Sequence, residues 1–102
     1  MENITVQELK HRLDAGEKIH ILDVREPDEY VAYNIGAKLV PLGRVMSMQI
    51  DDLEDWKDDE IVIHCHAGKR SMQAVMMLET MGFRNVKNLA GGMVAWQDKF
   101  GS

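Results

Sequence analysis

The chain has 102 residues, 45% apolar and 28% charged, enough for one compact core and too little for two. Twelve Lys and Arg against 17 Asp and Glu give a formal net charge of -5, which argues against general binding of a nucleic-acid backbone, because that needs a basic face. The single cysteine, Cys65, excludes an intramolecular disulfide and a cysteine-only zinc site.

The N-terminal MENITVQELK has no basic stretch leading into an apolar run, so no signal peptide is expected. No apolar run is long enough for a membrane span. A lone thiol fits a reducing compartment, so a cytoplasmic location is expected. Neither a repeat nor a linker interrupts the chain, and residues 1–102 read as one domain.

Thr5 followed by Glu8 is a capping box, and Val6, Leu9 and Leu13 then share one helical face, with Gly16 as the stop. Residues 19–24 read as a buried strand. Pro27 suits the first position of a second helix, with Asp28 and Glu29 at the positive end of its dipole. Residues 38–41 are a short strand, and residues 44–53 are helical or irregular. Ile61, Val62, Ile63 and His64 form the clearest strand. Residues 70–81 form the clearest helix, with Ala74, Met77, Leu78 and Met81 at helical spacing and Gly82 ending it. A last strand, residues 86–89, and a last helix, residues 93–100, complete the pattern. Such alternation implies an α/β fold: a central parallel sheet of about five strands with helices on both faces. Ligands bind such sheets at the carboxyl ends of their strands.

Cys65 falls at such an end. It lies between the strongest strand and the strongest helix, in His64-Cys65-His66-Ala67-Gly68-Lys69-Arg70-Ser71. A turn into a helix N-terminus aims backbone N–H groups and the positive dipole end at the sulfur. That favours thiolate over thiol. Gly68 permits a turn that a side chain would block. Lys69 and Arg70 add positive charge, and arginine can grip an oxyanion with two parallel hydrogen bonds. The pattern describes a nucleophile for an anionic substrate. A buried packing role is the alternative reading for a lone cysteine.

Three separated segments resemble the rhodanese-like sulfurtransferases. Residues 65–71 resemble the active-site loop C-x-x-G-x-R-S. Residues 23–30, Asp-Val-Arg-Glu-Pro-Asp-Glu-Tyr, resemble D-V-R-E-x-x-E-[FY]. Residues 82–96 resemble the ending G-F-x-x-V-x-x-L-x-G-G-[MI]-x-x-W. Residues 33–37, Tyr-Asn-Ile-Gly-Ala, depart from the frequent G-H-I-x-G-A and are similar to a variant in rhodanese domains attached to adenylylating enzymes of sulfur-carrier pathways.

The resemblance implies a rhodanese-like fold and a persulfide mechanism. Cys65 would take sulfane sulfur from a small anionic donor, thiosulfate or a persulfide, and pass it to a protein or thiol acceptor. His66, Ala67, Gly68, Lys69, Arg70 and Ser71 would form the substrate loop. Many members carry arginine at the position of His66, which implies a less positive pocket here. No cofactor is implied. Two alternatives belong to other classes: a catalytically silent binding module, and a cysteine phosphatase or arsenate reductase. The latter resemble C-x5-R, whereas Cys65 to Arg70 is one residue shorter, a smaller cradle better suited to sulfur than to a tetrahedral phosphate.

His64, Cys65 and His66 are consecutive, so their side chains point in differing directions and no metal site is expected. Asp23 is expected to cap backbone amides and Arg25 to pair with a carboxylate such as Glu29, both supporting the site. Trp96, with Gly91 and Gly92, is expected to pack the last helix. Met72, Met76, Met77 and Met81 read as core filler. Trp56 is expected to be exposed, and residues 51–60 to form a solvated acidic face.

Overall fold

A computed structural model describes residues 2–101. Five strands, β1 (Glu2–Ile4), β2 (His20–Asp23), β3 (Lys38–Leu39), β4 (Glu60–His64) and β5 (Asn85–Leu89), form a parallel sheet in the order β1-β5-β4-β2-β3. The helices are α1 (Val6–Asp14), α2 (Pro27–Ala32), α3 (Leu42–Met46), α4 (Lys69–Thr80) and α5 (Gly92–Phe100), with a 3-10 helix at Asp51–Trp56. Among the described residues no helix is long and apolar enough to cross a membrane.

Local chemistry accounts for most of these boundaries. Thr5 Oγ1 accepts from the Glu8 amide at 3.1 Å, while Glu8 accepts from the Thr5 amide at 3.1 Å, so two orphan donors of α1 are satisfied at once. Pro27 opens α2, and Glu29 accepts from the Glu26 amide at 3.0 Å. Alternation along the strands divides the apolar side chains between two layers. Leu22, Val24, Ile61 and Ile63 pack with Val45, Leu53, Ala74 and Leu78 beneath α3 and α4. Ile21 and Val62 face the other way, onto Leu9, Met93 and Trp96 of α1 and α5.

Four departures from the sequence reading have physical causes. β1 is a fifth strand with no periodic signal, because three residues hold only one buried apolar side chain, Ile4. The buried stripe of α4 is Ser71, Ala74, Val75 and Leu78. Met72 and Met76 lie next to it, about 100° round the helix, and are 43% and 58% exposed; only Met77 and Met81 pack against the core. Trp56 is half-buried, stacked on the His20 ring with centroids 4.1 Å apart. Glu60 leaves the acidic face to meet Arg12 and Lys87, tying β4 to α1 and β5.

The topology singles out one place. The connection leaving β2 runs to β3 on one side, and that leaving β4 runs to β5 on the other. The carboxyl ends of β2 and β4 therefore diverge, leaving a crevice for a ligand.

The two faces of α4 should respond differently to substitution. Leu78→Ala should cost about 2–5 kcal/mol through the cavity it leaves, whereas Met76→Lys should stay within about 0.5 kcal/mol of the parent. Chemical denaturation of the two variants checks this, and equal losses would contradict the observed stripe.

Candidate active site

Cys65 is the first residue after β4, at the crevice. The three residues that follow it turn into α4, and Gly68 makes the turn with φ +112°, a left-handed conformation that glycine adopts without a Cβ penalty. The turn points the Gly68 amide at Cys65 Sγ, 3.1 Å away. Ser71, one turn into α4, brings its Oγ within 3.4 Å of the same sulfur.

The sulfur is buried, with Cys65 1% exposed. Burial raises the thiol pKa, but the Ser71 hydroxyl and the amides of Ser71, Gly68 and Ala67 lower it further, leaving it below its ordinary value. Dipoles, more than formal charges, therefore favour the thiolate.

α5 fixes the loop from behind. The amides of Met93 and Val94 donate to the carbonyls of Cys65 at 3.0 Å and His66 at 2.9 Å. These are orphan donors of the first turn of α5. A Cβ on Gly92 would lie 2.5 Å from Cys65 O and 2.6 Å from His66 O, so only glycine fits. Gly92 thus holds the site loop, a part that the expectation of simple helix packing did not include. Trp96 is buried among the α1 and α5 side chains, as a packing role requires.

Arg25 has the carboxylate partner expected of it, but the partner differs from the one the sequence suggested. Arg25 pairs with Asp23, not Glu29: Nε and Nη2 donate to the Asp23 carboxylate at 2.8–3.1 Å, and Nη2 also donates to Tyr33 O at 2.6 Å. Positions two apart at a strand end share a face, so Asp23 is the nearer carboxylate. Asp23 also accepts from the Arg25 amide at 2.9 Å, the expected cap. Glu29 instead meets Arg70, whose Nη1 and Nη2 donate to its two oxygens at 2.7 and 2.8 Å. This fork holds the Glu29 carboxyl down at about 2. Arg70, expected to face a bound anion, is engaged by α2. His66, Ala67 and Lys69 are exposed around the loop.

Sequence reasoning missed Asn88, the polar residue buried within β5. Its Oδ1 accepts from Ser71 at 2.5 Å. The signal was its position, two residues after Val86 and so on the strand face that Val86 buries. His64 is fully buried, and neither ring nitrogen has a hydrogen-bond partner among the described residues. Its Nε2 lies 3.8 Å from Asp23 Oδ2.

Residues 5–99 match the family model of the rhodanese-like domain, and the chain belongs to that family. It is 38% identical over 97 residues, 94% of this chain, to the "Putative sulfur carrier protein YrkF" of Bacillus subtilis. It is 37% identical over 95 residues, 91% of this chain, to the "Probable adenylyltransferase/sulfurtransferase MoeZ" of Mycobacterium tuberculosis. The chain spans 51% of the first protein and 24% of the second. A rhodanese-like domain protein of Staphylococcus aureus superimposes with TM-score 0.82 at 34% identity, covering 94% of this chain and 91% of that one.

Burial holds His64 neutral, with its pKa down from 6.5 to about 4; Asp23 opposes the shift and Arg25 adds to it. A lowered histidine pKa contributes stability above pH 6.5 that is lost as pH falls towards 4. The shift corresponds to about 3 kcal/mol. Denaturation measured at successive pH values should show this loss, and His64→Leu should lack it. A parent whose stability is flat between pH 6.5 and 4.5 would contradict it.

Proposed function

We propose that this chain is a sulfurtransferase, with residues 1–102 forming one rhodanese-like domain and Cys65 as the nucleophile. The observation that carries the reading is the convergence of loop amides and the Ser71 hydroxyl on Cys65 Sγ at the start of α4.

In the first half-reaction the Cys65 thiolate attacks the outer sulfur of a donor such as thiosulfate. A new S–S bond forms as the donor's S–S bond breaks, and sulfite leaves with the electron pair. Cys65 then carries a persulfide. In the second, a thiophilic acceptor, a small thiol or a cysteine of a partner protein, attacks the outer sulfur and the Cys65 thiolate leaves. Charge is negative on sulfur at both stages, so fixed amide dipoles stabilise both without rearranging. Sulfite leaves as an anion, so no separate general acid is required.

The remaining loop residues have supporting tasks. Gly68 shapes the turn, and Ala67 and Gly68 supply amides. Ser71 supplies a hydroxyl. His66 and Lys69 line the exposed approach for an anionic donor. Arg70 adds charge that the Cys65 thiolate feels, while Glu29 limits how freely it can reach a ligand. Asp23 and Arg25 hold the end of β2 beside the crevice. A lone nucleophilic thiol of this kind suits a reducing compartment.

Incubation with thiosulfate should make the protein one sulfur atom heavier, with the gain mapped to Cys65 by peptide mass spectrometry. Cys65→Ser should take up no sulfur and produce no thiocyanate from thiosulfate and cyanide, while melting within a few degrees of the parent. Full activity in that variant would overturn the mechanism. Failure of every sulfane donor to load the parent would favour a binding module, and turnover of an aryl phosphate would favour a phosphatase.

A further inference from the structure

The inner side of the loop carries a hydrogen-bonded line that runs on from the Ser71 hydroxyl, away from the sulfur. Ser71 Oγ lies 3.4 Å from Cys65 Sγ, 3.1 Å from Gly68 O and 2.5 Å from Asn88 Oδ1. Asn88, 4% exposed on β5, donates from Nδ2 to Asn3 Oδ1 at 3.2 Å. Asn3 is the partner of Asn88 in the β1–β5 register and is exposed on β1, an edge strand of the sheet. Three side chains thus join a buried sulfur to the protein surface.

The line is short of protons in an informative way. A serine hydroxyl carries one proton and a carboxamide carries a donor at one end and an acceptor at the other. While Cys65 is a thiol, its S–H can donate to Ser71 Oγ, and Ser71 donates onward to Asn88 Oδ1. Once the sulfur is a thiolate it only accepts, and it needs the Ser71 proton. Ser71 Oγ and Asn88 Oδ1 would then face each other as two acceptors. A half-turn of the Asn88 amide removes that conflict by placing Nδ2 on Ser71. Its Oδ1 then faces Asn3, and a half-turn of the Asn3 amide supplies a donor there. Both directions use similar heavy-atom positions and leave every member paired. An aspartate or leucine at residue 88 could not reverse in this way. The only proton released is that of the thiol itself.

We propose that Asn88 is a positioning residue that turns the Ser71 hydroxyl onto the ionised Cys65 sulfur, and that Asn3 sets the direction of the relay from the sheet edge. This deepens the reading of Cys65 as the nucleophile and rests on it for its use in sulfur transfer. The relay itself acts on ionisation of the thiol. The charged and titratable groups around the loop are Arg70 on α4, with Glu29 of α2 paired to it, Lys69 beside it, His64 and His66 on either side of Cys65, and the Asp23–Arg25 pair at the end of β2, the strand next to β4. The substitutions that test the relay leave all of them in place.

Asn3→Asp is the informative variant, because a carboxylate only accepts. It pins Asn88 Nδ2 towards β1, keeps Oδ1 on Ser71 and holds the Ser71 proton away from the sulfur. The ultraviolet absorbance of the thiolate, read against pH with Cys65→Ser as baseline, reports the ionisation directly. Asn3→Asp should raise the Cys65 pKa by about one unit, a roughly tenfold loss of thiolate below the pKa. Asn3→Ala should raise it much less, since water can serve Asn88 in either direction. In a Ser71→Ala background the effect of Asn3→Asp should largely vanish, because no hydroxyl remains to redirect. An unchanged pKa in Asn3→Asp overturns the proposal. So does a shift of equal size with and without Ser71, which would be the bare charge of the new carboxylate. Asn88→Asp, with the same dependence on Ser71, provides a second route if Asn3→Asp does not fold. Thiolate absorbance does not involve sulfur transfer. A protein that shows the Ser71-dependent shift yet never loads sulfur would refute the sulfurtransferase reading and leave the relay standing.

Discussion

Two hydrogen bonds from the first turn of α5, Met93 N to Cys65 O and Val94 N to His66 O, set the path of the loop on which the candidate chemistry depends. A helix start has free donors and a loop turning away from a strand has free acceptors. Here each satisfies the other. The contact is close enough that a Cβ at Gly92 would collide with both carbonyls. With its carbonyls held from behind, the loop turns its amides towards Sγ. Gly68 completes the turn into α4 with a backbone conformation that an L side chain rarely adopts. Strand end, loop and two helix starts thus act as one unit around a single atom.

The chain carries a net charge of -5 and yet holds a setting that favours an anion. Locality resolves the contrast. Amide dipoles at a helix start act over a few ångströms and bring no counter-charge. The formal charges nearby are largely paired off, Arg70 with Glu29 and Arg25 with Asp23. Burial of Cys65 works against its ionisation, and the surrounding donors outweigh it. His64, the residue before it, shows the opposite balance: its charged form is a cation, burial outweighs the pull of Asp23, and its ring is held neutral.

Much of this was legible because it is written in short-range patterns. The Thr5–Glu8 box, Pro27 at the head of α2, the apolar run of β4 and the turn after Cys65 each occupy a few consecutive residues, and each stands where those residues place it. The misreadings share a different character. Ala74, Met77, Leu78 and Met81 do pack against the core, the two methionines partly buried, but the fully buried stripe of α4 also takes in Ser71 and Val75, while Met72 and Met76 are exposed. A stripe that includes a serine gives a weakened apolar signal, so Met72 and Met76 were placed in the core although they lie beside it. β1 has three residues and gains its partner 85 positions later in sequence, Asn3 to Asn88. No local pattern encodes such a pairing.

Residue types and spacing were therefore sufficient for a parallel α/β sheet, for the position of Cys65 at the end of its central strand, and for a glycine-bearing turn into a helix, because backbone preferences act between near neighbours. Which carboxylate meets Arg70, which amides hold the loop from behind and which buried amide stands behind Ser71 were settled only when distant segments came together. Those partners lie 41, 28 and 17 positions apart, and their identities follow from how helices and strands pack around the crevice, a matter of distance in space that sequence order does not carry.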